Sequence, residues 1–157
     1  ADPRIEIVHA DSLTGLRRIV DRLDGNCVFW LDAHFPAADE GLRDFNAETE
    51  ERIRLPLEQE LELLAPRTER WRDVILVDDL RIYEVGPYRN GNMPANILPP
   101  KVRNIDFATR LFGRTHDIVR SFQDEGYLCL LPKERPAASL FERIGGAINS
   151  ALHRRVL

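Results

Sequence analysis

The sequence predicts an α/β fold, a three-layer sandwich around a mostly parallel, Rossmann-like sheet of about four or five strands. Two observations predict it. Cys27-Val-Phe-Trp-Leu-Asp32 and Val74-Ile-Leu-Val-Asp78-Asp79 are continuous apolar runs that end in acids, the pattern of strands buried on both faces of a parallel sheet. Between them lies a leucine-rich segment at helical spacing. Strand, helix and strand therefore follow one another at the distance of a right-handed crossover.

Each element has its own signal. Residues 4–9 alternate enough for an edge strand. Asp11 or Ser12 can cap the helix that follows, in which Leu13, Leu16, Ile19, Val20 and Leu23 share a face. Asp24-Gly25-Asn26 ends it with turn chemistry, and residues 27–32 are the first buried strand. Residues 35–51 read as a loop, rich in acids and small residues, that can lie over a strand end. Leu55-Pro56 opens a second helix with Leu57, Leu61, Leu64 and Ala65 inward, and Pro66 is expected to stop it. Residues 74–78 are the second buried strand. Residues 84–100 carry too much Gly, Pro and Asn for a regular element and read as a long loop or lid. A short helix is expected at 105–112. Thr115 is expected to cap another, with Ile118, Val119 and Phe122 inward and Gly126 at its end. Residues 127–131 read as a strand stopped at Pro132. Ser139 caps a last helix with Leu140, Ile144, Ile148, Leu152 and Val156 on one stripe.

The chain has 157 residues, the length of one domain with a single core. It enters its first predicted strand within four residues, which is the expectation for the C-terminal part of a larger domain. A formal charge of −4 argues against a nucleic-acid partner held by bulk electrostatics. No apolar run approaches the roughly 18 residues of a membrane span, and no apolar signal region follows Ala1; a cytoplasmic location is the resulting expectation. Cys27 and Cys129 read as buried, reduced thiols, and Trp30 and Trp71 as core residues.

Candidate chemistry concentrates at the strand ends. In open α/β sheets ligands bind beyond the carboxyl ends of the strands, where Asp32, Asp78 and Asp79 fall. If the two strands are neighbours, their ends lie about 4.8 Å apart. Carboxylates that close either share a divalent cation or share a proton. The competing reading is structural: one acid caps the next segment and another pairs with Arg81 or Arg72. His34, two residues beyond Asp32, is a candidate base or ligand. Asp11 is explained as a helix cap, with ligand contact as the alternative. Arg81, Tyr83, Tyr88, Asn90 and Asn92 are candidate pocket residues. There is no phosphate-binding loop, GxGxxG, nucleophile elbow, CxxC pair or HExxH.

His9-Ala-Asp11-Ser12, Phe29-Trp-Leu-Asp32-Ala-His34, the leucine-rich helix with Glu58, Glu60 and Glu62, and Ile75-Leu-Val-Asp78-Asp79 together resemble the later half of class I S-adenosylmethionine-dependent methyltransferases. The metal-assisted O-methyltransferase type is the most similar. The resemblance implies that Asp11 contacts the cofactor's adenine, that Asp32 and Asp78 bind a cation such as Mg²⁺ with Asp32 also beside the cofactor, and that Asp79 is a ligand or orienting group where that type often has Asn. The family's first two strands, with their glycine-rich turn, have no counterpart here. The resemblance implies methyl transfer to an oxygen or other small-molecule nucleophile, with Asp79 and His34 as catalytic groups. A metal-dependent hydrolase or phosphotransferase, and a non-catalytic methyltransferase-like domain that pairs with another chain or a second copy, are the alternatives. A small-molecule acceptor, without nucleic acid or membrane, is the expected partner.

Overall fold

The computed structural model describes residues 2, 4–35, 38, 41–94 and 104–134. Helix α1 (Ser12–Ile19) begins where Asp11 adopts extended backbone and its carboxylate accepts the Thr14 N–H at 2.9 Å. The helix tightens into a 3₁₀ turn at Val20–Arg22. Strand β1 (Val28–Leu31) follows. A short helix, α2 (Glu51–Arg54), precedes α3 (Leu57–Leu64), which has Pro56 at its cap. The α-helix ends at Leu64, just ahead of Pro66 as expected, and only a tighter turn follows. Pro66 stands at the start of a 3₁₀ turn, Ala65–Glu69, and has no N–H with which to continue the α-helical ladder. Strand β2 (Val74–Val77), the 3₁₀ turn Leu80–Ile82, helix α4 (Asp106–Phe112), and strands β3 (His116–Ser121) and β4 (Tyr127–Pro132) complete the described elements.

The sheet order is β1-β2-β4-β3. β1 and β2 are parallel neighbours, paired from Val28 with Val74 to Leu31 with Val77, and α3 lies in the connection between them, as the matching runs predict. The remaining pairs are antiparallel, so the sheet is mixed rather than mostly parallel. The physical reason is the segment after Thr115. Ile118, Val119 and Phe122 also fit a helical face, but the stretch is β-branched and a strand partner stands close in sequence. Pairing with Tyr127–Pro132 outweighs the helical reading. The hairpin turn uses two left-handed residues, Asp124 (φ 51°) and Gly126 (φ 88°). Gly126 is needed twice over, because a Cβ there would collide with the Tyr88 ring.

Three further expectations fail. Residues 4–9 form no strand, and Ile5 and Ile7 are exposed; alternation alone gives no ladder without an edge to pair with. The described helices share one core with one face of the sheet: Leu16, Leu61 and Phe112 belong with Phe29, Ile75 and Leu130. Among the described residues this makes two layers, not three. The opposite face carries Trp30, 57% exposed, together with Val28, Val119 and Leu131. Trp30 is therefore not a core residue; its ring meets Tyr127 edge-on at 6.1 Å. Trp71 is half-buried, and Cys27 and Cys129 are half-buried free thiols. The helix expected from Ser139 lies outside the described residues. Among the described residues no helix is long and apolar enough to cross a membrane.

One buried network fixes the starts of β1 and β2. Arg67 Nε donates to Asp73 Oδ2 at 2.7 Å and Nη2 to Oδ1 at 3.1 Å. The same guanidinium donates to the carbonyls of Leu23 (2.8 Å) and Gly25 (2.7 Å). Asp73 Oδ1 in turn accepts the Cys27 N–H at 2.8 Å. Removing one member leaves a buried charge uncompensated. Arg67→Met should therefore lower stability by roughly 3–5 kcal/mol, read by urea denaturation, and a loss below about 1 kcal/mol would show the network to be incidental.

His116 is also buried. Its Nε2 lies 3.0 Å from the Asp73 carbonyl and its Nδ1 2.9 Å from Thr115 Oγ1. Burial disfavours the imidazolium and pulls its pKa below the ordinary value, against the opposing pull of Asp73 and Asp117. The unfolded chain then takes up this proton more readily than the folded one. Stability from this group is present above about pH 6.5 and is lost as pH falls below it. Denaturation at pH 7.5 and pH 5 should show a smaller pH-dependent loss in His116→Asn than in the parent.

Candidate functional site

The β1–β2 register carries both strands to the same level, so Asp32 and Asp78 leave the sheet side by side. The Asp78 N–H still donates to the Leu31 carbonyl, at 3.0 Å. The chain then turns sharply. Asp79 is left-handed (φ 52°, ψ 50°), a conformation that costs a non-glycine residue about 1 kcal/mol and that Asp tolerates better than most. Its N–H donates to Asp78 Oδ1 at 2.8 Å. The hairpin turn holds the segment in place, because Leu80 N–H donates to the Gly126 carbonyl (2.9 Å) and Arg81 N–H to that of Glu125 (3.1 Å).

This turn decides which acids meet. His34 Nε2 lies 3.0 Å from Asp79 Oδ2 and 3.3 Å from Asp32 Oδ1. One ligand atom from each of Asp32, His34 and Asp79 lies within 4.8 Å of the others. The His34 side chain is only 7% exposed, that of Asp79 is mostly buried, and that of Asp32 is 54% exposed and faces solvent. The other side of Asp79 is held by Arg81, whose Nε donates to Oδ1 at 3.1 Å. Asp78 is not part of the trio, since its carboxylate is turned to the neighbouring N–H.

The environment separates the two adjacent acids. Burial alone raises the Asp79 pKa, but the His34 hydrogen bond, with the charges of His34 and Arg81, outweighs it and holds the carboxyl below its usual range. Asp78 moves the other way. Burial pushes it up, the charges of Asp32 and Asp79 add to that, and its hydrogen bond from Asp79 offsets only part. Behind the trio lie two groups of the core. Glu60 is 2% exposed; burial raises its pKa against a hydrogen bond with Ser12 and the charge of His34. Buried Tyr83 is pushed far above the ordinary phenol range by burial and by the charges of Glu60 and Asp79.

The other sequence candidates have structural roles. Asp11 caps α1, and its bond with Thr14 keeps its carboxyl below the usual value; its carboxylate is not among the converging atoms. Tyr88 is buried against Phe122, with ring centroids 5.3 Å apart. Asn90 donates to Glu125, and Asn92 closes the loop by bonding both the N–H and the carbonyl of Gly86 at 2.9 Å. Glu60, which the sequence offers only as one acid of the leucine-rich helix, lies buried behind the trio. Its signal is its position: Leu57, Glu60, Leu61 and Leu64 lie on one stripe of α3, so the periodicity puts a carboxylate among the buried leucines.

An imidazole nitrogen and two carboxylate oxygens at these separations can surround one divalent cation, whose bonds to such atoms run about 2.0–2.3 Å. Compared with protein-family models, curated proteins and solved structures, the chain matches none.

Replacing His34 by Leu removes the His34 hydrogen bond and charge that depress Asp79 and leaves Arg81 in place. The Asp79 carboxyl should then titrate at higher pH than in the parent, read from side-chain carbon NMR shifts. An unchanged titration would mean that Arg81 alone sets it.

Proposed function

We propose that Asp32, His34 and Asp79 hold a divalent cation in a metal-assisted transferase of the class I S-adenosylmethionine-dependent methyltransferase kind, acting on an oxygen or other small-molecule nucleophile. One observation carries the reading: an imidazole and two carboxylates converge beyond the carboxyl ends of adjacent parallel strands, where α/β sheets bind ligands. A cation bound there supplies Lewis acidity, lowering the pKa of an acceptor hydroxyl and orienting it. The chain's own contribution is positioning. Arg81 and the left-handed turn fix Asp79, burial fixes His34, and exposed Asp32 marks the side from which an acceptor arrives. His34 is a ligand in this reading rather than the base.

The cofactor is a different matter. Asp11, the residue matched to the adenine contact, spends its carboxylate on the Thr14 N–H, and the sequence has no glycine-rich turn. These residues by themselves do not fit S-adenosylmethionine. A contact or two rarely outweighs the several kcal/mol of freedom a flexible ligand loses. Titration calorimetry on this chain should show no micromolar binding of the cofactor. Micromolar binding would reveal a pocket that the sequence motifs do not describe.

The metal-dependent hydrolase or phosphotransferase is the second reading. It is favoured by the three donors being complete within these residues. Hydrolysis of p-nitrophenyl phosphate that needs both Mn²⁺ and Asp79 would select it.

The metal reading is tested by thermal unfolding. Mn²⁺ or Mg²⁺ should stabilise the chain, by about 2.7 kcal/mol at a hundredfold excess over Kd. Asp32→Asn and Asp79→Asn should each abolish that gain, whereas Asp78→Asn should keep most of it. Equal responses in the parent and in both of the first two variants would remove the cation from the account.

A further inference from the structure

Among the described residues the sheet has one covered face and one open face. Helices α1, α3 and α4 pack with Phe29, Ile75 and Leu130. The residues between these point the other way: Val28 is 69% exposed, Trp30 57% and Leu131 40%. Cys129 stands between the buried Leu128 and Leu130 and so faces the open side as well. A sheet face meant for water alternates polar residues with the buried ones. Strands β1, β2 and β4 contain no charged residue at all. A contiguous apolar face of this kind marks a surface that something covers.

The chain supplies an occupant of the right shape. Strand β4, which carries Cys129 and Leu131 on the open face, leads through Lys133 and Glu134 into residues 135–157, outside the described residues. In that sequence Leu140, Ile144, Ile148, Leu152 and Val156 recur at every fourth position, whereas Glu142, Arg143 and Ser150 fall on the opposite side of a helix. As a helix, residues 139–156 would be about 27 Å long, enough to span β4, whose six residues extend about 20 Å. The link from Glu134 to Ser139 reaches up to about 17 Å, more than the helix diameter of about 10–12 Å that separates one layer from the next. Charge agrees with this placement. β4 is antiparallel to β2, so a helix returning over the sheet from the end of β4 runs toward the carboxyl ends of β1 and β2. Its last turn, His153-Arg154-Arg155, would then approach the end of the sheet that holds Asp32 and Asp78.

We propose that residues 139–156 form an amphipathic helix whose leucine and isoleucine stripe packs on the open face of the sheet, over Trp30, Cys129 and Leu131, as a third layer. The reading is independent of the cation, since it uses the face of the sheet and not the trio at its end.

The test uses the full chain. In Trp71→Phe, Trp30 is the one tryptophan left, and its fluorescence reports the open face. Cys129 reports the same face by iodoacetamide labelling, read from peptide masses. Cys27, which packs against the core of the other face, is the internal control. The proposal predicts blue-shifted Trp30 emission, weak quenching by acrylamide, slow labelling of Cys129, and a monomer by sedimentation at every concentration. Ile144→Asp and the milder Ile148→Ala should each raise Trp30 quenching and Cys129 labelling severalfold, with Cys27 unchanged. Ser150→Asp, on the far side of the helix, should change neither. Trp30 as open to acrylamide in the parent as in Ile144→Asp would overturn the proposal, and so would equal effects of Ile144→Asp and Ser150→Asp. A dimer whose Trp30 protection disappears on dilution would give the face to a second copy instead. Cys27 labelling that rises in step with Cys129 in both isoleucine variants would show general loosening rather than an uncovered face, and would overturn it as well.

Discussion

The pairing of Arg67 with Asp73 is the constraint on which the rest of the arrangement depends. Asp73 is the last residue before β2, and its carboxylate binds the N–H of Cys27, the last residue before β1. Arg67 binds the same carboxylate and, with its remaining N–H groups, the carbonyls that lead out of α1 toward β1. A buried ion pair is poor proof of stability by itself, because desolvation offsets much of the attraction. Its value here is geometric. It sets Val28 opposite Val74, and with four residues in each strand that register delivers Asp32 and Asp78 to the same level. A slip of one residue would turn every side chain of one strand to the other face. Phe29 and Leu31 would then leave the core, and the acids would part.

From that starting point the site is built by local backbone chemistry. Two adjacent aspartates would ordinarily repel one another at a strand end. The left-handed conformation of Asp79 sends the two carboxylates to different partners, Asp78 to a backbone N–H and Asp79 to His34 and Arg81. Their pKa values are thereby driven in opposite directions. Divergent acids side by side are a pattern common at functional sites, although structural ion pairs produce it as well. Arg81 serves both ends, pairing with Asp79 and lying 3.8 Å from Glu125 in the hairpin turn. The antiparallel half of the sheet thus supports the acidic centre at the end of the parallel half.

The parallel half was legible in the sequence because its signals are redundant. Two apolar runs, two terminal acids and a leucine stripe all describe the same strand–helix–strand unit. The cap at Asp11 and the short helix α4 were legible for the same reason, since residue type and periodicity agree. The hairpin was not. Ile118, Val119 and Phe122 satisfy a helical face, and only pairing with Tyr127–Pro132, a tertiary fact, decides for a strand. The edge-strand reading of residues 4–9 failed because alternation reports which side chains could share a face, not whether a neighbouring strand exists. At the site, the sequence brought Asp32, His34 and the acid pair to one place. It left open which acid of the pair enters the cluster, because a single left-handed residue decides that, and Asp occupies αL only by exception. Glu60 was legible in principle, as a charge on the stripe of Leu57, Leu61 and Leu64.

The β1–β2 register brings Asp32, His34 and Asp79 together, and the proposed cation would sit among them. Crystals of the chain soaked in Mn²⁺ and measured for anomalous scattering test it most directly. One strong peak is expected about 2.0–2.3 Å from His34 Nε2 and from a carboxylate oxygen of each aspartate. Density at other acids with none at this trio would contradict it.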